Sequence, residues 1–378
     1  MKKNVLVIFG GRSCEHDISV ITAVQAAGQI DGGKYNVLPL YIKGEIYTGN
    51  ALLDIDTYKN FEENKRRLKK AEFKDGGVRI HKNRFFKTNA GVYCALMCCH
   101  GGLGENGGLQ GLLEFYNIPY TSPGIAPSAI FMDKELTKRF AAACKLPTLP
   151  YFIINDANLD GDIKIPKGFD FPLIVKPASL GSSIGIAVAH DRAELAEACA
   201  VAAEFDAKII VERALTDFLE INCAAVKNGS SIMVSECEAP LSWREFLTFE
   251  EKYCGSKGQK GGKNSSCNKL AHDGMKGLNR QYPADIPHNV RQAVQNITRT
   301  VYSSAEMRGS VRMDFLIDKA DDKIYLNEVN TIPGSLGFYL FENNGVSFSR
   351  LTDIMIETAV ADAKKKDAKK YAYLSNVL

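Results

Sequence analysis

A predicted β-hairpin constrains the fold of this chain more than any other segment. Residues 312–334 read RMDFLIDKADDKIYLNEVNTIPG, in which two strand-like runs flank the polar turn KADDK. Side chains alternate between the two faces of a strand, so Arg312 and Asp314 share one face of the first strand. Glu328 and Asn330 share a face at the end of the second strand. The segment therefore predicts a polar cluster on one side of a hairpin.

The predicted register places two carboxylates opposite each other. If the turn centres on Asp321, Asp314 lies opposite Glu328 and Arg312 lies opposite Asn330. Like charges that oppose each other in a sheet destabilise it. A divalent cation between them reverses this effect, because carboxylate and amide oxygens are the ligands that Mg²⁺ prefers. The alternative is a solvated hairpin whose acids bind no ligand.

Composition limits the class of protein. The chain has 378 residues, of which 45% are hydrophobic and 24% charged, values typical of a globular protein with two or three domains. Its net charge of +3 provides no general attraction for nucleic acid or an anionic membrane, and neither is expected as a partner. The short apolar run 5–9 is interpreted as a first strand and not as a signal peptide, and no run approaches transmembrane length.

The ten cysteines are scattered and lie mostly in apolar runs, which predicts reduced, buried thiols in a cytoplasmic protein. Cys94, Cys98 and Cys99 precede His100, a grouping that resembles part of a zinc site. No second cluster completes such a site, so we interpret these cysteines as part of a buried strand.

Strand and helix patterns alternate in the first third of the chain, which predicts an α/β layer with a mostly parallel sheet. The predicted strands are 5–9, 37–42 and 92–99, and the predicted helices are 18–30 and 108–116. A second unit holds a helix at 132–144 and strands at 171–177 and 184–188. The predicted domains are 1–122, 123–211 and 212–378.

A glycine- and serine-rich turn follows a predicted strand end at Lys176. The segment 176–185 reads KPASLGSSIG and contains Ser182 and Ser183. Backbone N–H groups and hydroxyls in such a turn bind phosphate oxygens, and a lysine adds positive charge. The segment is not a Walker P-loop. A plain turn between two strands is the alternative.

Two glycine loops each lead into a predicted helix. The loop that follows His100 reads GGLGENG and matches G-x-G-x-x-G, but the acid expected about 20 residues later in a dinucleotide site is missing. It still offers an anion site at a helix N-terminus. In the loop at 10–16, Ser13 is a plausible N-cap and Glu15 falls in the first helical turn. Glu15 therefore either stabilises the helix or binds a substrate ammonium.

Taken in order, these segments resemble the D-alanine–D-alanine ligase family of ATP-grasp enzymes. The matching motifs are GGRSCEHDIS, HGGLGENGGLQG, PYTSPG with MDKELTKR, VKPASLGSSIG, VRMDF and NEVNTIPG, and together they cover nearly the whole chain. The resemblance implies a three-domain ATP-grasp architecture: an N-terminal Rossmann-like parallel-sheet domain, and a nucleotide bound between the central and C-terminal domains. It also implies peptidoglycan precursor synthesis in the cytoplasm and, in many members, a homodimer.

The resemblance implies roles for individual residues. The implied nucleotide-binding residues are Lys134, Lys176, Ser183, Glu212, Glu220 and Lys252. The implied ligands of two Mg²⁺ ions, or of Mn²⁺, are Asp314, Glu328 and Asn330. The implied catalytic residues are Glu15, Ser182, Tyr253 and Arg312. The implied substrate contacts are His100, Gly334, Ser335 and Tyr339, and a mobile lid is implied at 252–270.

The implied reaction joins D-alanine to a second amino acid at the expense of ATP. A serine that binds the acceptor carboxylate in the family is replaced here by Tyr339 in an alignment without gaps, which leaves D-serine, D-lactate or another amine open as acceptor. Tyr253 favours an amine and therefore a peptide product. Two competing hypotheses are an ATP-grasp ligase for an unrelated carboxylate and a binding protein that holds ATP without turnover.

Overall fold

The structure is a computed structural model that describes residues 2–83, 85–156, 163–240 and 280–369. These residues form three β-sheets of seven, four and five strands. The predicted lid, with Lys252 and Tyr253, lies outside the described residues. Within these ranges, none of the helices is long and apolar enough to span a membrane.

The N-terminal sheet has the order β6-β5-β4-β3-β2-β1-β7. Its strands are β1 (Lys3–Gly10), β2 (Tyr35–Lys43), β3 (Glu45–Thr48), β4 (Lys69–Lys74), β5 (Gly77–His81), β6 (Lys87–Gly91) and β7 (Cys94–Met97). Its helices are α1 (His16–Gln29), α2 (Phe61–Asn64), α3 (Gly102–Glu105) and α4 (Gly108–Phe115), with 3-10 turns at Asn50–Leu53, Ile55–Tyr58 and Lys65–Arg67.

The prediction of a mostly parallel sheet is wrong. Among the strands that the structure describes, only the pairings of β1 with β2 and with β7 are parallel, and the four outer pairings are antiparallel. The buried centre was predictable because Val5–Phe9 is a continuous apolar run. The antiparallel pairing of β2 with β3 follows from a short connection, since Gly44 alone joins these two strands and such a turn can only connect antiparallel strands.

The central sheet is antiparallel with the order β10-β9-β11-β8. Its strands are β8 (Tyr151–Asn155), β9 (Leu173–Pro177), β10 (Ala187–Ala189) and β11 (Lys208–Arg213), and the helices around it are α5 (Ile125–Met132), α6 (Lys134–Ala143) and α7 (Arg192–Ala203). The helix predicted at 132–144 begins at Lys134 because the Asp133 side chain caps it. The predicted domain limit between residues 211 and 212 falls inside β11, and the division into domains stays a prediction.

The C-terminal sheet has the order β14-β13-β12-β15-β16. Its strands are β12 (Phe218–Asn228), β13 (Ser231–Pro240), β14 (Arg280–Gln281), β15 (Ser310–Asp318) and β16 (Lys323–Asn330). It is followed by a 3-10 segment at Gly334–Asn344, and its helices are α8 (His288–Ser304) and α9 (Phe348–Asp367). Helix α9 buries Leu351 and Met355 in the same core as Val5, so the end of the described chain packs against the N-terminal sheet.

The hairpin formed by β15 and β16 has the predicted register at its polar end. Asp314 pairs with Glu328 and Arg312 pairs with Asn330. The turn is displaced from the predicted centre, because Asp318 pairs with Lys323. A register shift after Asp314 compensates for this displacement. Without the shift, Asn327 would face Asp314.

Gly309 fixes the start of β15 against the chain before α5. Its φ is +74°, and a Cβ at this position would lie 2.0 Å from the carbonyl oxygen of Thr121. We predict that Gly309→Ala lowers the free energy of unfolding by about 2–4 kcal/mol, because a left-handed backbone and a backbone clash add up. Gly229→Ala is the control, since Gly229 has φ +61° and open space around it, and it should cost about 1 kcal/mol. Equal losses in urea unfolding would contradict the clash.

Candidate active site

Two pockets adjoin each other where the three sheets meet. The first pocket is lined by strand residues of the C-terminal sheet and by loop residues beside the other two sheets, including Glu15, His100, Leu180, Arg312, Asn330 and Gly334. The second pocket is lined by Lys134, Ser183, Glu220, Asp314, Asn327 and Glu328, among others. Leu180, Gly181 and Glu328 line both pockets. The arrangement suits a reaction between two ligands that meet at this shared wall.

Arg312 and Asp314 form a two-bonded ion pair on the face of β15. Arg312 Nε and Nη2 each donate to an Asp314 carboxylate oxygen at 2.7 Å. Burial opposes the charge of Arg312, but the Asp314 carboxylate holds the pKa of this guanidinium well above its usual value. Asn330 Nδ2 donates to Asp314 Oδ2 at 3.0 Å. The permanent positive charge of Arg312 therefore faces the first pocket beside two oxygen-bearing side chains.

Lys134 approaches the opposed acid on β16. Its Nζ lies 3.5 Å from Glu328 Oε1 and also donates to the carbonyl oxygen of Leu180. Each member of the opposed carboxylate pair thus has its own cation, Arg312 for Asp314 and Lys134 for Glu328. These contacts reduce the repulsion that the register creates.

Asp314, Glu328 and Asn330 form a donor set that fits Mg²⁺. In the part of the chain that the structure describes, no three His, Cys, Asp or Glu side chains converge on one point. Mg²⁺ is usually bound by only one or two carboxylates, with substrate phosphates and water completing its shell. Asp314 and Glu328 line the second pocket and Asn330 lines the first, so two carboxylates and one amide at the shared wall meet that requirement.

Lys176 and Glu212 are buried together below the second pocket. Lys176 Nζ donates to Glu212 Oε2 at 2.8 Å and to Asn327 Oδ1 at 3.4 Å. The other oxygen of Glu212 lies 3.1 Å from the Nζ of Lys138, a residue that the sequence did not single out. Burial by itself raises the pKa of Glu212, but the two lysines hold it at about 2. Glu212 is therefore ionised and has a lysine on each oxygen, whereas Glu220 lines the second pocket.

The turn after Lys176 connects the central unit to the N-terminal loops. Ser182 and Ser183 both have φ of 58°, the left-handed region. The Ser182 hydroxyl donates to the Glu15 carboxylate, and a Cβ on Gly181 would lie 3.0 Å from Glu15 Oε2. The absence of a side chain at Gly181 permits this close approach.

Glu15 is itself the N-cap residue of α1, although the sequence pattern placed the cap at Ser13. Its side chain makes no capping bond. Ser13, the predicted N-cap, instead accepts a hydrogen bond from the backbone N–H of Glu15 at 3.0 Å. The Glu15 carboxylate lines the first pocket, so the geometry favours the role as a counter-ion over the role as a cap.

His100 and Ser335 meet on helix α1. His100 Nε2 lies 2.9 Å from Thr22 Oγ1, which also accepts from the backbone N–H of Ser335 at 3.1 Å. The Ser335 hydroxyl donates to Gln25 Oε1 at 2.8 Å. Burial lowers the pKa of His100 to about 4, so its ring is neutral at pH 7. Ser335 and Leu336 adopt left-handed φ values of 51° and 55° in the turn that presents Gly334 to the first pocket.

Tyr339 lies at the far side of this turn in a buried polar cluster. Its hydroxyl donates to Glu238 Oε1 at 3.1 Å, and the Arg280 guanidinium stacks over its ring at 4.1 Å. Arg280 Nη1 also donates to Glu238 at 2.8 Å. Burial and the Glu238 charge raise the pKa of Tyr339 to about 12. The Tyr339 hydroxyl thus bonds a protein carboxylate.

Glu105 is a further acid of the first pocket that the sequence did not single out. Its carboxylate accepts hydrogen bonds from the backbone N–H of Gly101 at 2.9 Å, the Thr331 hydroxyl at 3.0 Å and the backbone N–H of Ile332 at 3.0 Å. It therefore fastens the loop after His100 to the turn after β16. In the sequence, only its position inside a glycine loop pointed to a functional role for Glu105. Its partners could not be predicted, because two of them lie more than 200 residues away.

The comparisons with known proteins agree with this geometry. Family models described as D-ala D-ala ligase N-terminus and D-ala D-ala ligase C-terminus match residues 4–123 and 140–357. This chain belongs to the D-alanine–D-alanine ligase family. The D-alanine–D-alanine ligase of Thermosipho africanus is 38% identical to it, with 99% of this chain and 98% of the relative covered. That of Caldicellulosiruptor bescii is 33% identical, with 98% and 99% covered.

Solved structures show the same fold. The D-alanine–D-alanine ligase from Coxiella burnetii has a TM-score of 0.77 at 22% identity and covers 97% of this chain and 96% of its own. The VanG D-Ala:D-Ser ligase from Enterococcus faecalis has a TM-score of 0.78 at 24% identity and covers 95% of this chain and 100% of its own. The resemblance seen in the sequence is confirmed, and the fold is the mixed α/β fold of these ligases.

The burial of Glu105 predicts a change in the pH dependence of stability. Burial and the nearby Glu15 charge raise the pKa of Glu105 from 4.5 to about 7. An acid whose pKa is raised in the folded state makes its full contribution to the free energy of unfolding below its unfolded-state pKa. This contribution is lost as the pH rises through the folded-state pKa. The stability advantage of the wild type over Glu105→Gln should therefore shrink by about 3 kcal/mol between pH 4.5 and 7.5.

Urea unfolding across this pH range measures the Glu105 effect, and Glu114→Gln is the control with the opposite sign. Burial opposes ionisation of Glu114, but hydrogen bonds from Lys366 and Tyr120 hold its pKa below the usual value. The wild type should lose its advantage over Glu114→Gln as the pH falls. A Glu105→Gln variant with the same pH slope as the wild type would contradict the account.

A substitution of Glu328 tests the role of the opposed carboxylate pair directly. We predict that Glu328→Gln keeps the fold, because the shape is the same, but lowers turnover of the proposed reaction about 10²-fold or more. Asn330→Ala should behave similarly. Steady-state phosphate release at saturating Mg²⁺ measures the effect, and near-normal turnover would remove these side chains from the mechanism.

Proposed function

We propose that this protein is an ATP-dependent ligase that joins D-alanine to a second D-amino acid, with D-alanine favoured, in peptidoglycan precursor synthesis. The observation that carries the proposal is the shared wall of the two pockets. Glu15 and Arg312 line the first pocket, Lys134 and Asp314 line the second, and Glu328 lines both. An amino acid and the terminal phosphate of ATP could therefore meet beside Arg312.

In the first step, Glu15 binds the ammonium group of D-alanine and the D-alanine carboxylate faces Arg312. A carboxylate oxygen attacks the γ-phosphorus, ADP leaves, and D-alanyl phosphate forms. Arg312 stabilises the charge on the transferred group, and Lys134 and Lys176 hold the phosphates. Such a reaction depends on position and neutralised charge more than on covalent help. Ser182 keeps the Glu15 carboxylate in place through its hydrogen bond.

In the second step, the amine of the acceptor attacks the carbonyl carbon of D-alanyl phosphate. The bridging oxygen leaves with the phosphate, which takes up the proton that the attacking nitrogen loses and departs as HPO4²⁻. Asp314, Glu328 and Asn330 would hold two Mg²⁺ ions, or Mn²⁺, which when bound neutralise phosphate oxygens. The site must exclude water, because acyl phosphates hydrolyse readily.

Ser183 and Glu220 line the second pocket and are proposed as nucleotide-binding residues, together with Glu212. The roles of Lys252 and Tyr253 stay predictions. Action in the cytoplasm and assembly as a homodimer also stay predictions.

The position of Tyr339 favours a second candidate, a D-alanine ligase with another acceptor. Its hydroxyl bonds Glu238 and its ring stacks with Arg280, so it does not simply replace a serine hydroxyl. D-serine, D-lactate and other amines are the acceptors to compare with D-alanine.

The test is phosphate release from Mg²⁺-ATP with D-alanine alone and with D-alanine plus each second acceptor, with products identified by mass. We expect D-alanyl-D-alanine from D-alanine alone, in equal amounts with phosphate. Product formation only with a different acceptor would replace the favoured acceptor. Nucleotide binding without product from any acceptor would contradict the proposal and support a non-catalytic homologue.

A further inference from the structure

A buried lysine outside the expected set of nucleotide-binding residues lies behind Lys176. Lys138 is on helix α6, four residues after Lys134, and its side chain is 1% exposed. Its Nζ lies 3.1 Å from Glu212 Oε1, donates to the carbonyl oxygen of Leu149 at 3.3 Å, and stands 5.6 Å from the centre of the Tyr151 ring. A lysine is almost never buried to this extent unless it is paired.

The contacts of Lys138 continue to the second pocket. Glu212 bonds Lys138 with one oxygen and Lys176 with the other. Lys176 in turn donates to Asn327, the residue at the register shift of the hairpin, which lines the second pocket. The three charged side chains therefore form a continuous row from α6 to Asn327, the residue through which the row reaches the wall of the second pocket.

The charge balance of this row explains why a second lysine is needed. A lone Glu212 would orient Lys176 but would also neutralise its positive charge. The resulting neutral ion pair would attract a phosphate only weakly. Burial lowers the pKa of Lys138, and the Glu212 carboxylate opposes this shift. With a protonated Lys138 on the other oxygen, the three side chains carry a net charge of +1. The low pKa of Glu212 is consistent with a carboxylate that remains ionised between two cations.

We propose that Lys138 is a positioning residue for nucleotide phosphates: it binds Glu212 so that Lys176 is oriented by this carboxylate while the cluster keeps a net positive charge toward the second pocket. The inference rests on the proposed function, in which Lys176 binds ATP phosphates. It assigns Glu212 to the support of Lys176 in addition to any contact with the nucleotide base.

The test compares the binding of Mg²⁺-ADP and of adenosine by calorimetry. Lys138→Met should weaken ADP binding about tenfold, because one buried charge near the phosphates is lost, and should change adenosine binding by less than about twofold. Lys138→Arg keeps the charge and should remain within about threefold of the wild type for ADP. Lys227→Met is the matched control, since Lys227 bonds Asp362 at 2.9 Å on a different face of the protein, and it should leave both affinities unchanged.

A second variant keeps the test decisive if Lys138→Met is unstable. Replacing Glu212 by Gln as well removes the charge that would neutralise Lys176, so Lys138→Met/Glu212→Gln should bind ADP more tightly than Lys138→Met alone. A merely structural role for Lys138 predicts the reverse order, with thermal stability and both affinities falling together. Equal losses for ADP and adenosine, or unchanged ADP binding, would overturn the proposal.

The outcome is separable from that of the proposed function. A wild-type protein that binds Mg²⁺-ADP but forms no dipeptide would contradict the ligase, while the comparison of ADP with adenosine would still decide the role of Lys138. In an active enzyme, Lys138→Met should raise the KM for ATP more than it lowers kcat, and the KM for D-alanine should change little.

Discussion

Two carboxylates that face each other across neighbouring strands determine how the rest of the site is arranged. Asp314 and Glu328 are directly paired in the hairpin, a position in which like charges repel. Arg312 binds the first and Lys134 approaches the second, so the pair persists only with cations around it. The same need for positive charge makes the pair suited to a divalent ion and to the phosphates that accompany it. The repulsion between these two carboxylates therefore favours a bound cation between them.

The N-terminal unit reaches this site through loops whose polar groups must be satisfied. Glu105 accepts from Thr331 and Ile332 beside the hairpin, and Ser182 donates to Glu15 from the central unit. A buried polar group without a partner is costly, so each of these bonds also fixes the relative placement of two sheets. Parts of one pocket are therefore held by contacts between segments that are remote in the sequence.

The hairpin register could be predicted because strand alternation is local, whereas the rest of the site depends on tertiary contacts. The register shift that restores the pairing of Asp314 has no signal in the residue pattern. The antiparallel extension of the first sheet was missed because residues 45–91 lack the long apolar runs of its centre. Lys138 could not be recognised for a similar reason, since Glu212, its partner, lies on β11, which is remote from α6 in the sequence.

An isotope-transfer experiment tests the central claim most directly, that the D-alanine carboxylate attacks the terminal phosphate of ATP. D-alanine labelled with ¹⁸O in its carboxylate is incubated with Mg²⁺-ATP and the protein, and the released phosphate is analysed by mass. The account predicts one ¹⁸O atom in each phosphate formed with the dipeptide, because the bridging oxygen of D-alanyl phosphate leaves with phosphorus. Unlabelled phosphate, or label in AMP, would contradict it.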